Sequence, residues 1–217
     1  MLENIQIIAC ETVKNELEFA MKEAGVNYPV TWIDSGLHSS PLCLHRKLQD
    51  AIDCCTASVA LLGLGFCGNS VAGLKTGDFR LIIPRRDDCI SLLLDPSEIR
   101  GGGTYFMTEG WLRDESHLYH EYKYTIEKYG EEEGREIFDI MLHNYNSIAL
   151  LDTGCYPIGP VEEETRRFAD ILGLKFKLVR GNTDWLRRLL TGPWDDERFI
   201  VVPPRSAVPA DELFERS

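Results

Sequence analysis

The chain has 217 residues, 44% hydrophobic and 27% charged, the make-up of a globular protein, which excludes disorder and collagen-like repetition. With 23 Lys and Arg against 35 Asp and Glu the formal charge is −12, so nucleic acid and anionic membrane surfaces are poor partners. Seven cysteines, two of them adjacent at Cys54 and Cys55, do not suit a disulfide framework, no run reaches the roughly 18 to 20 apolar residues of a membrane span, and MLENIQIIAC does not read as a secretory leader; the expectation is a cytoplasmic protein with free thiols.

Short β-rich apolar runs alternate with helical patterns. Ile5–Ala9 reads as a strand, and Glu11–Ala24 as a helix with Val13, Leu17, Ala20, Met21 and Ala24 on one face, stopped by Gly25. Strand Val30–Ile33 enters a loop Asp34–Pro41, and Leu42–Cys54 follows as a helix. Ser58–Leu62 is continuously apolar, as a strand buried on both faces of a parallel sheet would be, and leads into the glycine-rich stretch Gly63–Gly73. Phe79–Ile83 is a strand, after which Asp87 or Asp88 is expected to cap a short helix through Leu94.

After Gly101–Gly103, Thr104–Leu112 is aromatic and strand-like, and His117–Asn144 reads as one or two helices, the acidic run Glu131–Glu133 forming a solvated face. Strand Ile148–Leu151, helix Val161–Leu172, strand Phe176–Val179, helix Thr183–Leu190 and strand Phe199–Val202 follow. The pattern predicts an α/β fold with a mainly parallel sheet flanked by helices. We expect one domain over 1–205, with pseudo-repeated halves 1–100 and 146–205 joined by a helical insert 101–145, and a loosely attached tail from Ala207.

Ligands of such sheets bind beyond the carboxyl ends of the strands. Cys10 follows the first strand, Cys67 lies in the loop after the third and Cys89 just past the fourth, with His38 in the loop after the second. Three thiols and an imidazole match a tetrahedral zinc centre; three thiols equally suit an iron–sulfur cluster, and a small buried hydrophobe is the ordinary role of an isolated cysteine. Cys43, Cys54 and Cys55 belong to a helix and its end and read as packing, whereas Cys155 stands at the Cys10-equivalent position of the second half.

Gly63–Gly68 matches GxGxxG after a strand, but not in the context of a dinucleotide site; Gly65, Gly68 and Asn69 point rather to a tight turn that lets the backbone approach a ligand. Arg85 and Arg86 could grip a carboxylate or phosphate, or pair with Asp87 and Asp88. Glu109, among Tyr105, Phe106 and Trp111, is a candidate acid or base, although such aromatics more often pack a core. His117 and His120 stand three apart on a predicted helix, in polar surroundings.

Taken in order, IACETVKNEL, LHSSP, GLGFCGNSVAGL, IPRRDDCISLLL, TYFMTEGWL and LLDTG resemble an uncharacterised bacterial and archaeal domain family over about residues 4 to 190, with FCGNS and PRRDDCI the most specific parts. The resemblance implies work near corrinoid-dependent methyltransferases, in methyl transfer or one-carbon metabolism, and puts the family's cysteine motifs on Cys10, Cys67 and Cys89, with His38 in the leucine–histidine loop. The expected function is therefore Cys-ligated metal binding, with Zn²⁺ or an iron–sulfur cluster as cofactor. Arg85 and Glu109 would orient or protonate a small anionic or thiol substrate, and Arg86 would hold its polar end. Two alternatives are an accessory protein for a corrinoid or a methyltransferase component, and a phosphate-binding enzyme using the glycine loop. The partners expected are a small molecule and a corrinoid protein or methyltransferase, with a homodimer the commonest assembly on base rates.

Overall fold

In the computed structural model, residues 4–98, 102–113, 118–195, 197–210 and 213 are described. They divide into two compact units, Met1–Leu93 with Thr183–Ser217, and Leu94–Asn182.

The first unit is built on a five-stranded sheet in the order β2-β1-β3-β4-β8, from β1 (Ile5–Cys10), β2 (Val30–Ile33), β3 (Val59–Gly63), β4 (Arg80–Pro84) and β8 (Phe199–Val202). The first four strands are parallel, and β8 runs antiparallel to β4. β3 is buried along its whole length, as its unbroken apolar run requires when a sheet is covered on both faces. The helices α1 (Lys14–Ala24), α2 (Pro41–Asp53) and α7 (Asp184–Thr191) turn their apolar stripes inward, burying Leu17 and Ala20, Leu44 and Leu48, and Leu186, Leu189 and Leu190. α1 stops where Gly25 takes the left-handed conformation at φ +66°, and α2 starts at Ser40, whose hydroxyl accepts from the Cys43 N–H.

The second unit carries an all-parallel sheet in the order β5-β6-β7, from β5 (Thr104–Met107), β6 (Ser147–Asp152) and β7 (Lys175–Arg180), with helices α3 (Glu109–Leu112), α4 (Leu118–Tyr129), α5 (Glu131–Met141) and α6 (Ile158–Ile171). Its core gathers Met107, Leu118, Tyr122, Phe138, Leu142, Ile148 and Phe168. The acidic run opens α5, where carboxylates suit the positive end of the helix dipole, and Glu131 pairs with Arg135 one turn on.

Both sheets are mostly parallel and flanked by helices, so the α/β class holds. The expected halves do not coincide with the units: β6 and β7 share a unit with the 101–145 segment, whereas α7 and β8 return to the first. No helix forms after Asp88. Its carboxylate accepts the Ser91 N–H at 2.8 Å while the Ser91 hydroxyl donates to the Asp88 carbonyl, and this local exchange closes a turn in place of a helix. The aromatic segment is strand only to Met107, after which α3 begins. Ala207 and Val208 are not loose: Ala207 bridges Lys75, and Val208 is buried and exchanges backbone bonds with Leu74 and Gly73. His117 lies outside the described residues. No helix among the described residues is long and apolar enough to cross a membrane.

Candidate metal centre

Because β1 to β4 are parallel, the segments leaving their carboxyl ends share one edge of the sheet. β1 ends on Cys10 itself. β2 runs into a 3₁₀ turn, Ser35–Ser39, that carries His38 and is opened by the Asp34 carboxylate accepting the Gly36 N–H at 2.8 Å. The loops after β3 and β4 carry Cys67 and Cys89.

His38 Nε2 lies 3.0 Å from Cys10 Sγ and 3.8 Å from Cys89 Sγ, and one ligand atom from each of these three residues lies within 4.8 Å of the others. Cys67 stands outside this mutually close trio, with its Sγ 3.9 Å from that of Cys89. Zn–S bonds of about 2.3 Å and Zn–N bonds of about 2.0 Å put neighbouring ligand atoms of a tetrahedral zinc about 3.5–3.8 Å apart. The His38–Cys89 edge is about 0.3 Å longer than the N–S value of about 3.5 Å. The Cys10–His38 contact is a hydrogen bond, about half an ångström shorter than that value.

The two cysteine loops are locked together. Phe66 N–H donates to the Arg86 carbonyl and Cys67 N–H to the Asp87 carbonyl, each at 2.7 Å. A Cβ at Gly65 would lie 2.6 Å from the Asp88 backbone and 2.7 Å from the Arg86 carbonyl oxygen, so the close approach requires glycine there. Cys67, Gly68 and Asn69 all have positive φ, at +44°, +68° and +65°. For Cys67 this conformation costs about 1–3 kcal/mol, held by the two loop–loop bonds. His45 ties α2 to the same loop through the Ser70 carbonyl, with Nδ1 2.8 Å from that oxygen.

The electrostatics are those of a thiol cluster out of water. Contact with Cys89, then burial, pushes the Cys10 thiol far above the usual range. Contact with Cys10 lowers Cys89, but Cys67 and complete burial outweigh it and the net direction is up. Burial pulls His38 down, yet its contacts with Cys10 and Cys89 carry it up to about 11. These upward shifts compete for one proton, since an imidazolium is favoured there only while a thiolate faces it. One proton held between Nε2 of His38 and Sγ of Cys10 satisfies both. A cation seated among the three groups does so with both thiols deprotonated and the imidazole neutral.

The other expected residues are placed as follows. Arg86 lays its guanidinium over the Trp185 ring, 4.1 Å from the centroid, and burial lowers its pKa against the opposing pull of Asp87. Arg85 donates its backbone N–H to Arg198. Glu109 belongs to the second unit and pairs with Arg113 at 2.9 Å. At Gly65 the close approach is to the protein's own backbone. Asn69 accepts the Ala72 N–H through its carbonyl. Tyr105 packs on the second unit's core and meets Tyr145 edge-on. Packing does not account for Cys43 and Cys54, which are exposed. Cys155 donates to the Thr153 carbonyl within its own loop, in the second unit.

Sequence reasoning passed over Thr12. Its hydroxyl donates to Cys10 Sγ at 3.1 Å, the kind of outer bond that fixes a metal-binding thiolate, and the signal was a hydroxyl two residues past a strand-end cysteine.

The family model described as "Protein of unknown function (DUF1638)" matches residues 32–190. No curated protein and no solved structure matches the chain.

Proposed function

We propose that this chain, which belongs to the DUF1638 family, is a metal-binding protein that holds Zn²⁺ through Cys10, His38 and Cys89. The observation that carries the reading is the convergence of these three buried or half-buried groups, from three separate strand ends, to within 4.8 Å. A mixed nitrogen and sulfur set of this kind suits zinc. An all-sulfur iron–sulfur cluster would have to recruit Cys67 and leave His38 aside.

Three protein ligands leave one position for an exogenous group, as in catalytic zinc sites. The chain's own contribution is to hold the two thiols and the imidazole together out of water and to fix Cys10 through Thr12, while the cation would keep the thiols deprotonated. Bound there, zinc would hold a substrate thiol as its thiolate. That chemistry supports the finer reading taken from the resemblance, a role in corrinoid-linked methyl transfer or one-carbon metabolism.

Elemental analysis and the visible spectrum of anaerobically purified protein test the assignment. The expected result is about one zinc per chain without colour, falling to background in Cys89→Ala. Colourless, metal-free wild type that takes up no added zinc overturns it.

A further inference from the structure

The proposed zinc site accounts for Cys10, His38 and Cys89 but gives Cys67 no task, although the fold holds this residue in a strained conformation beside a ligand. Its φ is +44°, and its thiol is 3.9 Å from Cys89 Sγ. The three buried cysteines also differ in exposure as residues: Cys67 is 8% exposed, Cys89 1% and Cys10 0%. An oxidant arriving from solvent therefore meets Cys67 first, and the nearest sulfur to which it can pass the oxidation is a metal ligand.

Resting on the zinc reading, we propose that Cys67 and Cys89 form a peroxide-sensitive pair, whose closure to a disulfide releases the metal. In the first step the Cys67 sulfur attacks hydrogen peroxide, the O–O bond breaks, and Cys67 becomes a sulfenic acid as one water leaves. In the second, the Cys89 thiolate attacks the Cys67 sulfur and gives up its bond to the metal, the S–O bond breaks, and the departing hydroxide takes a proton from solvent to leave as the second water. One thiol and one thiolate lose two electrons, and with one proton from Cys67 and one from solvent one peroxide is reduced to two waters. The sulfurs close from 3.9 Å to about 2.05 Å. Cys89 then has no thiolate to give the metal, and Cys10 with His38 alone is an incomplete set. The loop–loop bonds from Phe66 and Cys67 to Arg86 and Asp87 keep the two cysteines facing each other throughout.

The experiment treats zinc-loaded full-length protein with stoichiometric hydrogen peroxide, follows zinc with a chromophoric chelator, and maps disulfides by non-reducing peptide mass spectrometry. The expected result is one zinc released per Cys67–Cys89 disulfide, reversal by a dithiol reductant, and release at least tenfold slower in a Cys67→Ser variant that still binds zinc. Zinc loss with Cys67 still reduced overturns the proposal, as does a Cys10–Cys89 bond in its place. So does a Cys67→Ser protein that binds no zinc, since Cys67 would then be a ligand. Peptide mapping of the wild type decides the matter if the variant does not fold. If the wild type takes up no zinc, the metal assignment fails by itself, while mapping of the metal-free protein still tests the Cys67–Cys89 pair.

Discussion

Two strand-end cysteines sit at matching places in the two units and have different fates. Cys10 closes β1 and Cys155 follows β6, each on the central part of a parallel sheet. The Cys10 thiol is fully buried between His38 and Thr12, whereas the Cys155 thiol is half-buried and bonds back to Thr153, two residues away. The difference lies in the neighbouring loops. Around β1, the segments after β2 and β4 bring His38 and Cys89 to Cys10. Around β6, β5 passes almost directly into α3, and the residues after β7 turn back, Gly181 bridging Leu94 and the Asn182 amide donating to the Asp95 carboxylate. A cysteine at the end of a parallel strand can join a cluster able to hold a metal only when the adjacent crossovers deliver partners.

The sharpest break of this contrast is a pair of deletions. Cys10→Ala should abolish stoichiometric zinc by elemental analysis, and Cys155→Ala should leave it unchanged; equal losses would erase the distinction between the two strand ends.

A second comparison sets the glycines of the two loops against each other. Gly65→Ala forces a Cβ into the Asp88 and Arg86 backbones and should cost about 1–3 kcal/mol in denaturant unfolding. Gly154→Ala, with open space around it but a φ of +70°, should cost about 1 kcal/mol, from the left-handed backbone alone. If the Gly65 variant is the milder of the two, the loops after β3 and β4 are not locked together as described.

The last test is a pH slope in the metal-free protein. The upward shifts of His38, Cys10 and Cys89 compete for one proton, so the folded trio holds one proton more tightly than the unfolded chain, with His38 carried from 6.5 to about 11 by its contacts with the two cysteines. That stabilisation is complete below about pH 6.5 and is lost as pH rises through about 11. Thermal unfolding temperatures of the metal-free wild type should fall over this range, and the fall should flatten in His38→Asn and persist in Cys155→Ala. Zinc binding should release protons into weakly buffered solution, because it draws on the same groups.

The cluster was legible in the sequence only in part: apolar runs that read locally as strands, with parallel topology, carry Cys10, Cys67, Cys89 and His38 to one edge, but they favoured the three thiols with His38 as an addition and did not show that His38 rather than Cys67 completes the close trio. Thr12 was not legible, since its role depends on the turn that brings its hydroxyl back onto Cys10. The helix expected after Asp88 failed for a related reason: Asp and Ser three apart cap a helix or close a turn, and periodicity over so short a window does not choose between them. The partition into units escaped altogether. Hydrophobic patterning registers what each strand is, not which strand it joins, so nothing marked β6 and β7 as members of a separate sheet or β8 as antiparallel to β4.

That antiparallel strand has a consequence for the order of events on the ribosome. By the time Cys89 has been made, all three proposed ligands exist, yet the free edge of β4 waits for Phe199–Val202. At about 5–20 residues per second, this leaves roughly 5–20 seconds in which the nascent chain carries all three proposed ligands on a sheet where β4 still lacks its antiparallel partner. A cation captured in that interval would pin three strand ends before the fifth strand arrives. Metal supply during synthesis would then govern the yield of folded chain as well as its final occupancy.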